Sequence, residues 1–181
     1  MRPVQDGGIL CSEGWSRSGI INMYEDLVEK LMPEVKSDIF QNWTGVEDVD
    51  SKEFLEELRK IPNYTGIAFR GLAFTGEKEK KDFLKKFSIG SIWQNENFMS
   101  SSKKRRIALE FANYTMYQVL LIIESLTGKD ISEFSKREQE VIFLSGCSFR
   151  VSNIKQVKNR YHTYRSEIFL KEVGSGVGAE L

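Results

Sequence analysis

The spacing of apolar residues changes character near residue 64, and this switch constrains the fold more than any other feature. Before it, Ile20, Tyr24, Leu27, Val28 and Leu31 recur at helical intervals. A second helical segment, from Ser51 to Lys60, places Phe54, Leu55, Leu58 and Ile61 on one face, and Asp50 with Glu53 has the form of a capping box at its start. After it come short apolar runs. Thr65–Leu72 and Ile92–Ser102 read as strands, Val119–Ile123 is a fully apolar strand, and Val141–Leu144, Ser148–Val151 and Arg165–Val173 follow. Two further helices are predicted, over Glu77–Phe87 with Phe83, Leu84 and Phe87 inward, and over Lys103–Asn113 through Ile107, Ala108, Phe111 and Ala112. A polar loop is expected from Thr127 to about Arg137, and the glycine-rich tail is expected to fray. Helices first and strands afterwards predict an α+β domain with a mostly antiparallel or mixed sheet. The whole chain, 1–181, reads as one domain: a helical part over 1–63, a β core over 64–173 and a flexible tail over 174–181.

Charge and residue counts narrow the chemistry. Lys+Arg and Asp+Glu both number 26, so no net field favours nucleic acid or an acidic membrane. Two cysteines, Cys11 and Cys147, cannot build a disulfide scaffold or a zinc cluster. His162 is the single histidine, so any Ser-His, Cys-His or His-ligated metal chemistry would run through it alone; its setting between Tyr161 and Tyr164 reads as a structural strand position. No apolar stretch approaches the roughly 20 residues that span a bilayer, and the first residues lack the apolar core of a signal peptide. The expectation is a cytosolic protein, or a catalytic fragment delivered by a carrier outside this sequence. No G-x-G-x-x-G, P-loop or H-E-x-x-H occurs.

Three segments carry candidate chemistry. In Ala68-Phe69-Arg70-Gly71-Leu72 an arginine sits inside an apolar strand, where burial is costly unless it meets an anion. Its planar fork suits phosphate, and the glycine beside it permits close approach to the backbone; a salt-bridged or snorkelling arginine would look the same. In Asn97-Phe98-Met99-Ser100-Ser101-Ser102 a strand places Ser100 and Ser102 on one face, with Ser102 read as the cap of the following helix. In Glu138-Gln139-Glu140, read as strand, the two carboxylates share a face and can address one cavity, although a solvated strand edge has the same pattern. Paired carboxylates are what glycosyl-bond chemistry uses.

Taken in order, these segments resemble the arginine-serine-glutamate group of ADP-ribosyltransferases, whose pattern is a strand arginine, aromatic-x-Ser-Thr/Ser-Ser, and Glu-x-Glu before an apolar strand. The match covers residues 64–152 and looks like the bacterial toxin and vertebrate surface members alike. The resemblance implies N-terminal helices packed on a split two-sheet core with NAD in a central cleft. It implies NAD as co-substrate, no metal, and transfer of ADP-ribose to a protein arginine with release of nicotinamide, by a toxin or effector secreted or delivered into a target cell. Glu140 would face the ribose, Ser100 would orient Glu140, and Arg70 would hold the phosphates. The Gly71 backbone would meet the nicotinamide amide, Asn97 would line the cleft and Phe111 would pack on the nicotinamide. Glu138 would serve the acceptor, which points to arginine, and Phe134 would lie in the target-recognition loop. The pattern is left at two places: Ser101 replaces the commoner threonine, and Tyr114 stands where some toxin members carry a phosphate-binding arginine. Lys103-Lys104-Arg105-Arg106 is then a candidate for completing the phosphate grip, since four cations oppose their own helix dipole there; a solvated cationic face is the alternative. An NAD glycohydrolase and a catalytically silent binding module are the other readings, and the resemblance leaves room for a neutralising or delivery partner.

Overall fold

The computed structural model describes residues 51–174. The expected helix over Ile20–Leu31, the Asp50 half of the capping box and most of the tail lie outside the described residues. The elements in chain order are α1 (Ser51–Lys60), β1 (Asn63–Phe74), α2 (Glu77–Leu84), β2 (Ile92–Gln94) and β3 (Met99–Ser102). There follow α3 (Arg105–Ala112), β4 (Tyr117–Asp130), β5 (Glu140–Phe143), β6 (Ser148–Lys158) and β7 (Tyr164–Val173). The architecture is α+β. Pairing is antiparallel except between β4 and β7, so the sheet is mixed as expected.

Hydrogen bonding joins the seven strands of the described residues into one sheet in the order β1-β3-β5-β4-β7-β6-β2, with an additional β1–β4 pairing. The split into two sheets expected from the resemblance is therefore bridged. The cause is the length of β4: it pairs with β1 along one edge, and along the other with β7 first and β5 at its end. That length also corrects the polar loop expected to begin at Thr127. Gly128, Lys129 and Asp130 pair with Tyr64, Asn63, Ile142 and Val141, so main-chain pairing overrides their polar side chains. Likewise the single strand expected over Ile92–Ser102 is two. Asn95 breaks it: its amide donates to the carbonyls of Asn97 (2.7 Å) and Leu144 (2.8 Å), turning the chain from the β6 edge to the β5 edge. His162 is not on a strand either; it lies in the β6–β7 turn at φ 60, with its backbone N–H bonded to the Asn159 carbonyl.

The core follows the predicted periodicities. On α1, Phe54 and Leu58 are buried and Leu55 is half-buried, with Ile61 buried just past the helix end, Glu53 in the first turn and Arg59 and Lys60 in the last, as the helix dipole favours. A run of ring contacts from Phe74 through Phe83, Phe87, Trp93 and Phe149 to Phe143 packs α2 and its following turn against the sheet. α2 ends at Leu84, before Phe87, yet Phe87 is buried as expected because the chain turns it inward from Leu84. On α3, Ile107, Ala108 and Ala112 are buried. This helix lies so close to β1 that a Cβ on Gly71 would come within 1.7 Å of the Ala108 carbonyl oxygen. Gly71 is thus required for a helix to approach a strand, a role its sequence context did not reveal.

Gly71→Ala should destabilise the protein by about 1–3 kcal/mol or more, because the methyl meets backbone rather than a side chain that could rotate away. Urea unfolding checks this. An unchanged midpoint would show that α3 can lift off β1 at little cost.

Candidate active site

One face of β1 carries Ala68, Arg70 and Leu72 in alternation, so Arg70 occupies a position in a row that otherwise faces the apolar core. The guanidinium Nη1 donates to the Ser100 carbonyl at 2.5 Å, which ties β1 to β3 beside the Phe69–Ser102 pair. Burial pulls the Arg70 pKa below its ordinary value, and the negative charge of Glu140 pulls it back up. The anion that a buried arginine requires is thus partly supplied by the protein itself.

β3 and β5 pair with Ser102 opposite Glu140 and Ser100 opposite Ile142. Ser100 and Glu140 are therefore diagonal neighbours on one face of the ladder. Glu140 is buried, whereas Glu138 is half-buried. The two carboxylates do not share a face by strand alternation, as expected from the sequence, because Glu138 and Gln139 lie in a turn and β5 begins at Glu140. Gln139 adopts φ 51, in the left-handed region. That turn brings both carboxylates to the same cavity by another route.

Ser101 and Ser102 are held by main-chain partners. Ser101 Oγ donates to the Val141 carbonyl (2.7 Å) and Ser102 Oγ to the Glu138 carbonyl (2.5 Å). Ser102 also accepts from the Lys104 N–H at 3.0 Å, but the helix cap is Lys104 itself, so the expected serine cap is displaced by two residues. The segment between β4 and β5 folds on itself: Ile131 N–H donates to the Glu140 carbonyl, Phe134 and Ser135 N–H to that of Ile131, and Gln139 N–H to that of Ser135. Burial works against the Asp130 charge at its start, but hydrogen bonds from Ser132 and Lys103 outweigh it and hold the carboxyl below its usual range.

These pieces enclose a cavity of about 550 Å³ walled by Phe69, Arg70, Gly71, Phe98, Ser100–Ser102, Ile107, Ala108, Phe111, Glu138 and Glu140. The volume falls within the roughly 300–1,000 Å³ typical of small-molecule sites, and an apolar wall with a few converging polar groups is their usual lining. Arg70, Gly71, Ser100, Phe111, Glu138 and Glu140 line this one cavity. Asn97 does not; it is exposed and outside the wall, where Phe98 stands, held edge-on against Phe54 of α1 with ring centres 5.4 Å apart. Phe134 is half-buried in the β4–β5 turn and also outside the wall. Ile107 and Ala108 also line the wall; no motif marks them, but their i−4 and i−3 spacing from Phe111 makes them its neighbours on one helical face.

The cationic run is used internally. Lys103 Nζ reaches Asp130 Oδ2 at 2.9 Å, Arg105 reaches the buried Glu167 at 2.6 Å, and Arg106 pairs with Glu110 at 2.5 Å. Glu167 also accepts from Arg165 at 2.7 Å. Among the described residues, Lys104 is the member of the run with no carboxylate partner, and none of the four lines the cavity.

No protein-family model matches the sequence, and no curated protein sequence matches it. Solved structures do. The type III effector XopAI from Xanthomonas axonopodis pv. citri is 26% identical at a TM-score of 0.50, over 68% of this chain, which spans about half (51%) of that protein. The ADP-ribosyltransferase Vis, a toxin from Vibrio splendidus, in its complex with agmatine, is 17% identical at a TM-score of 0.55, over 93% of this chain and 91% of its own. C3stau2 from S. aureus, with NAD, is 13% identical at a TM-score of 0.50, over 89% of this chain and 98% of its own. The fold is that of the ADP-ribosyltransferases. Among the described residues no helix is long and apolar enough to cross a membrane.

Gln139 offers a test of the turn between the carboxylates. A β-branched residue is poorly compatible with φ 51, so Gln139→Val should cost about 1–3 kcal/mol, whereas Gln139→Gly should be tolerated. Chemical denaturation of both variants distinguishes them, and equal stability would mean the turn takes another conformation.

Proposed function

We propose that the chain is a mono-ADP-ribosyltransferase that breaks the nicotinamide–ribose bond of NAD and moves ADP-ribose onto a protein arginine, acting as a toxin or effector. The observation that carries this reading is the convergence of Arg70, Ser100, Glu138 and Glu140, from separate segments, on one cavity of an ADP-ribosyltransferase fold. The cavity is suited to NAD as substrate: aromatic walls for the nicotinamide, a guanidinium for the phosphates, and carboxylates for the reacting sugar. The occurrence of NAD in the C3stau2 structure and of agmatine, an arginine analogue, in that of Vis supports both substrates.

Nicotinamide leaves as a neutral group, so departure needs no general acid. The obstacle is the positive charge that develops on the ribose. A buried carboxylate facing that charge and accepting from the ribose 2′-hydroxyl addresses it, and Glu140 takes this part. Ser100, its diagonal neighbour across the β3–β5 ladder, helps orient it, while the fork of Arg70 holds phosphate. Phe111, half exposed on α3, offers a ring for the nicotinamide to pack on. An arginine acceptor is protonated at neutral pH and becomes nucleophilic when a carboxylate orients it and accepts a proton. Glu138 takes this part; among the described residues nothing pairs with its carboxylate. Phe134, outside the cavity wall, is assigned to recognition of the target protein rather than of NAD.

Mass-spectrometric mapping of ADP-ribose in a lysate treated with the protein and NAD tests the reading directly. Labelled arginines support it; nicotinamide release without labelling identifies an NAD glycohydrolase, and neither activity identifies a binding module. Glu140→Gln should lower nicotinamide release and transfer together, on the order of 10²- to 10³-fold. Glu138→Gln should abolish transfer to agmatine while sparing much of the hydrolysis, since water needs little activation. Equal collapse in both variants would mean that the carboxylates act as one unit. Arg70→Lys keeps the charge but loses the fork, and calorimetry should find weaker NAD binding; unaltered affinity would leave Arg70 a purely structural bond to Ser100.

A further inference from the structure

The segment Ile131–Gln139 is closed at its base by the Ile131–Glu140 bond and braced internally by turns, but none of these contacts ties it to the β3–α3 wall of the cavity. That link comes from two consecutive residues at the β3–α3 junction. Ser102 Oγ donates to the Glu138 carbonyl, and the Lys103 N–H donates to the Gln139 carbonyl at 2.9 Å. The Lys103 side chain then crosses to the other end of the segment, where its ammonium reaches Asp130 Oδ2 at 2.9 Å and Ser132 Oγ at 2.8 Å. Asp130 in turn accepts from the Ser132 N–H at 3.0 Å. One residue therefore grips both the exit from β4 and the return to β5.

We infer that Lys103 is a positioning residue for the acceptor side of the site, clamping the Ile131–Gln139 turn so that Glu138 meets the incoming guanidinium. This rests on the reading of Glu138 as the acceptor's carboxylate. Glu138 has no side-chain partner among the described residues, so its position follows from the backbone that carries it. The ammonium contacts are charge-assisted and partly shielded from water, so they hold more firmly than an exposed pair. Glu140, by contrast, belongs to the β3–β5 ladder, whose main-chain bonds do not involve the Lys103 side chain. The acceptor step and the NAD step are thereby made separable at a residue that does not line the cavity.

Lys103→Met keeps the stem and removes the ammonium; Lys103→Arg restores a cation. Two activities should be followed on each preparation: nicotinamide release without acceptor, and ADP-ribosyl-agmatine formation against agmatine concentration. Lys103→Met should lose on the order of 10-fold or more in kcat/KM for agmatine, as misplacement of a reacting group commonly costs. Nicotinamide release should stay near wild type, and Lys103→Arg should recover transfer. A parallel fall in both activities overturns the inference. Hydrogen exchange supplies a readout independent of activity: the amides of Phe134, Ser135 and Gln139 should exchange faster in Lys103→Met while those of β5 stay protected. Unchanged exchange removes the clamp. A wild-type protein that releases nicotinamide yet labels no arginine removes the acceptor reading, whatever the exchange shows.

Discussion

β4 is hydrogen-bonded along both edges, and the site depends on this. From Phe74↔Tyr117 to Asn63↔Lys129 it holds β1 in a register that places Arg70 opposite Leu121. On its other edge β7 runs parallel to it, and beyond the end of that pairing β5 takes over at Lys129 and Asp130. The strand carrying the arginine and the strand beginning with the second glutamate are thus both anchored to one strand. β3 then closes the circuit by pairing with β1 and β5, which sets the Ser100 carbonyl within reach of the Arg70 guanidinium. A one-residue slip of β1 along β4 would send Arg70 to the opposite face, so pairing register and site chemistry are a single constraint.

Charge is distributed accordingly. The protein tolerates a guanidinium in an apolar row because a carbonyl accepts from it and a buried carboxylate lies near enough to offset part of its desolvation. The same economy holds at the start of α3. Cations there oppose the helix dipole, a cost of about 0.3–1 kcal/mol each when exposed, but three of them meet carboxylates on β4, α3 and β7. Arg105 with Glu167 joins the helix to β7, and Lys103 with Asp130 joins the junction to the β4–β5 turn. Two of the four cations that the sequence offered as a candidate phosphate grip are thus struts that brace the cavity wall.

Gly71 illustrates how one residue can carry two demands. It lines the cavity, as expected for a backbone that a ligand approaches, and its missing side chain admits the α3 backbone. Because α3 sits that close, Ile107, Ala108 and Phe111 reach the cavity and give it an apolar wall. A larger residue at position 71 would move that wall before it touched any ligand.

The sequence by itself determined the α+β class, the buried faces of α1 and α3, the strands around Val119–Ile123 and Val141–Phe143, and the ordered arginine, serine and glutamate segments. These are local properties: side-chain period, apolar runs and short motifs record which face each residue presents. Tertiary structure alone decided where strands stop and which partners charges choose. Residues 127–130 look like loop but lie in β4, because neighbouring strands offer main-chain partners that polar side chains do not forbid. Glu138 and Glu140 reach one cavity through a left-handed Gln139 rather than through strand alternation, a backbone state that glutamine does not announce. Asn97 faces solvent because Asn95 turns the chain beneath it, and Lys103 finds Asp130 some 27 positions away. Such pairings depend on which distant segments the sheet brings together, and no local period encodes that.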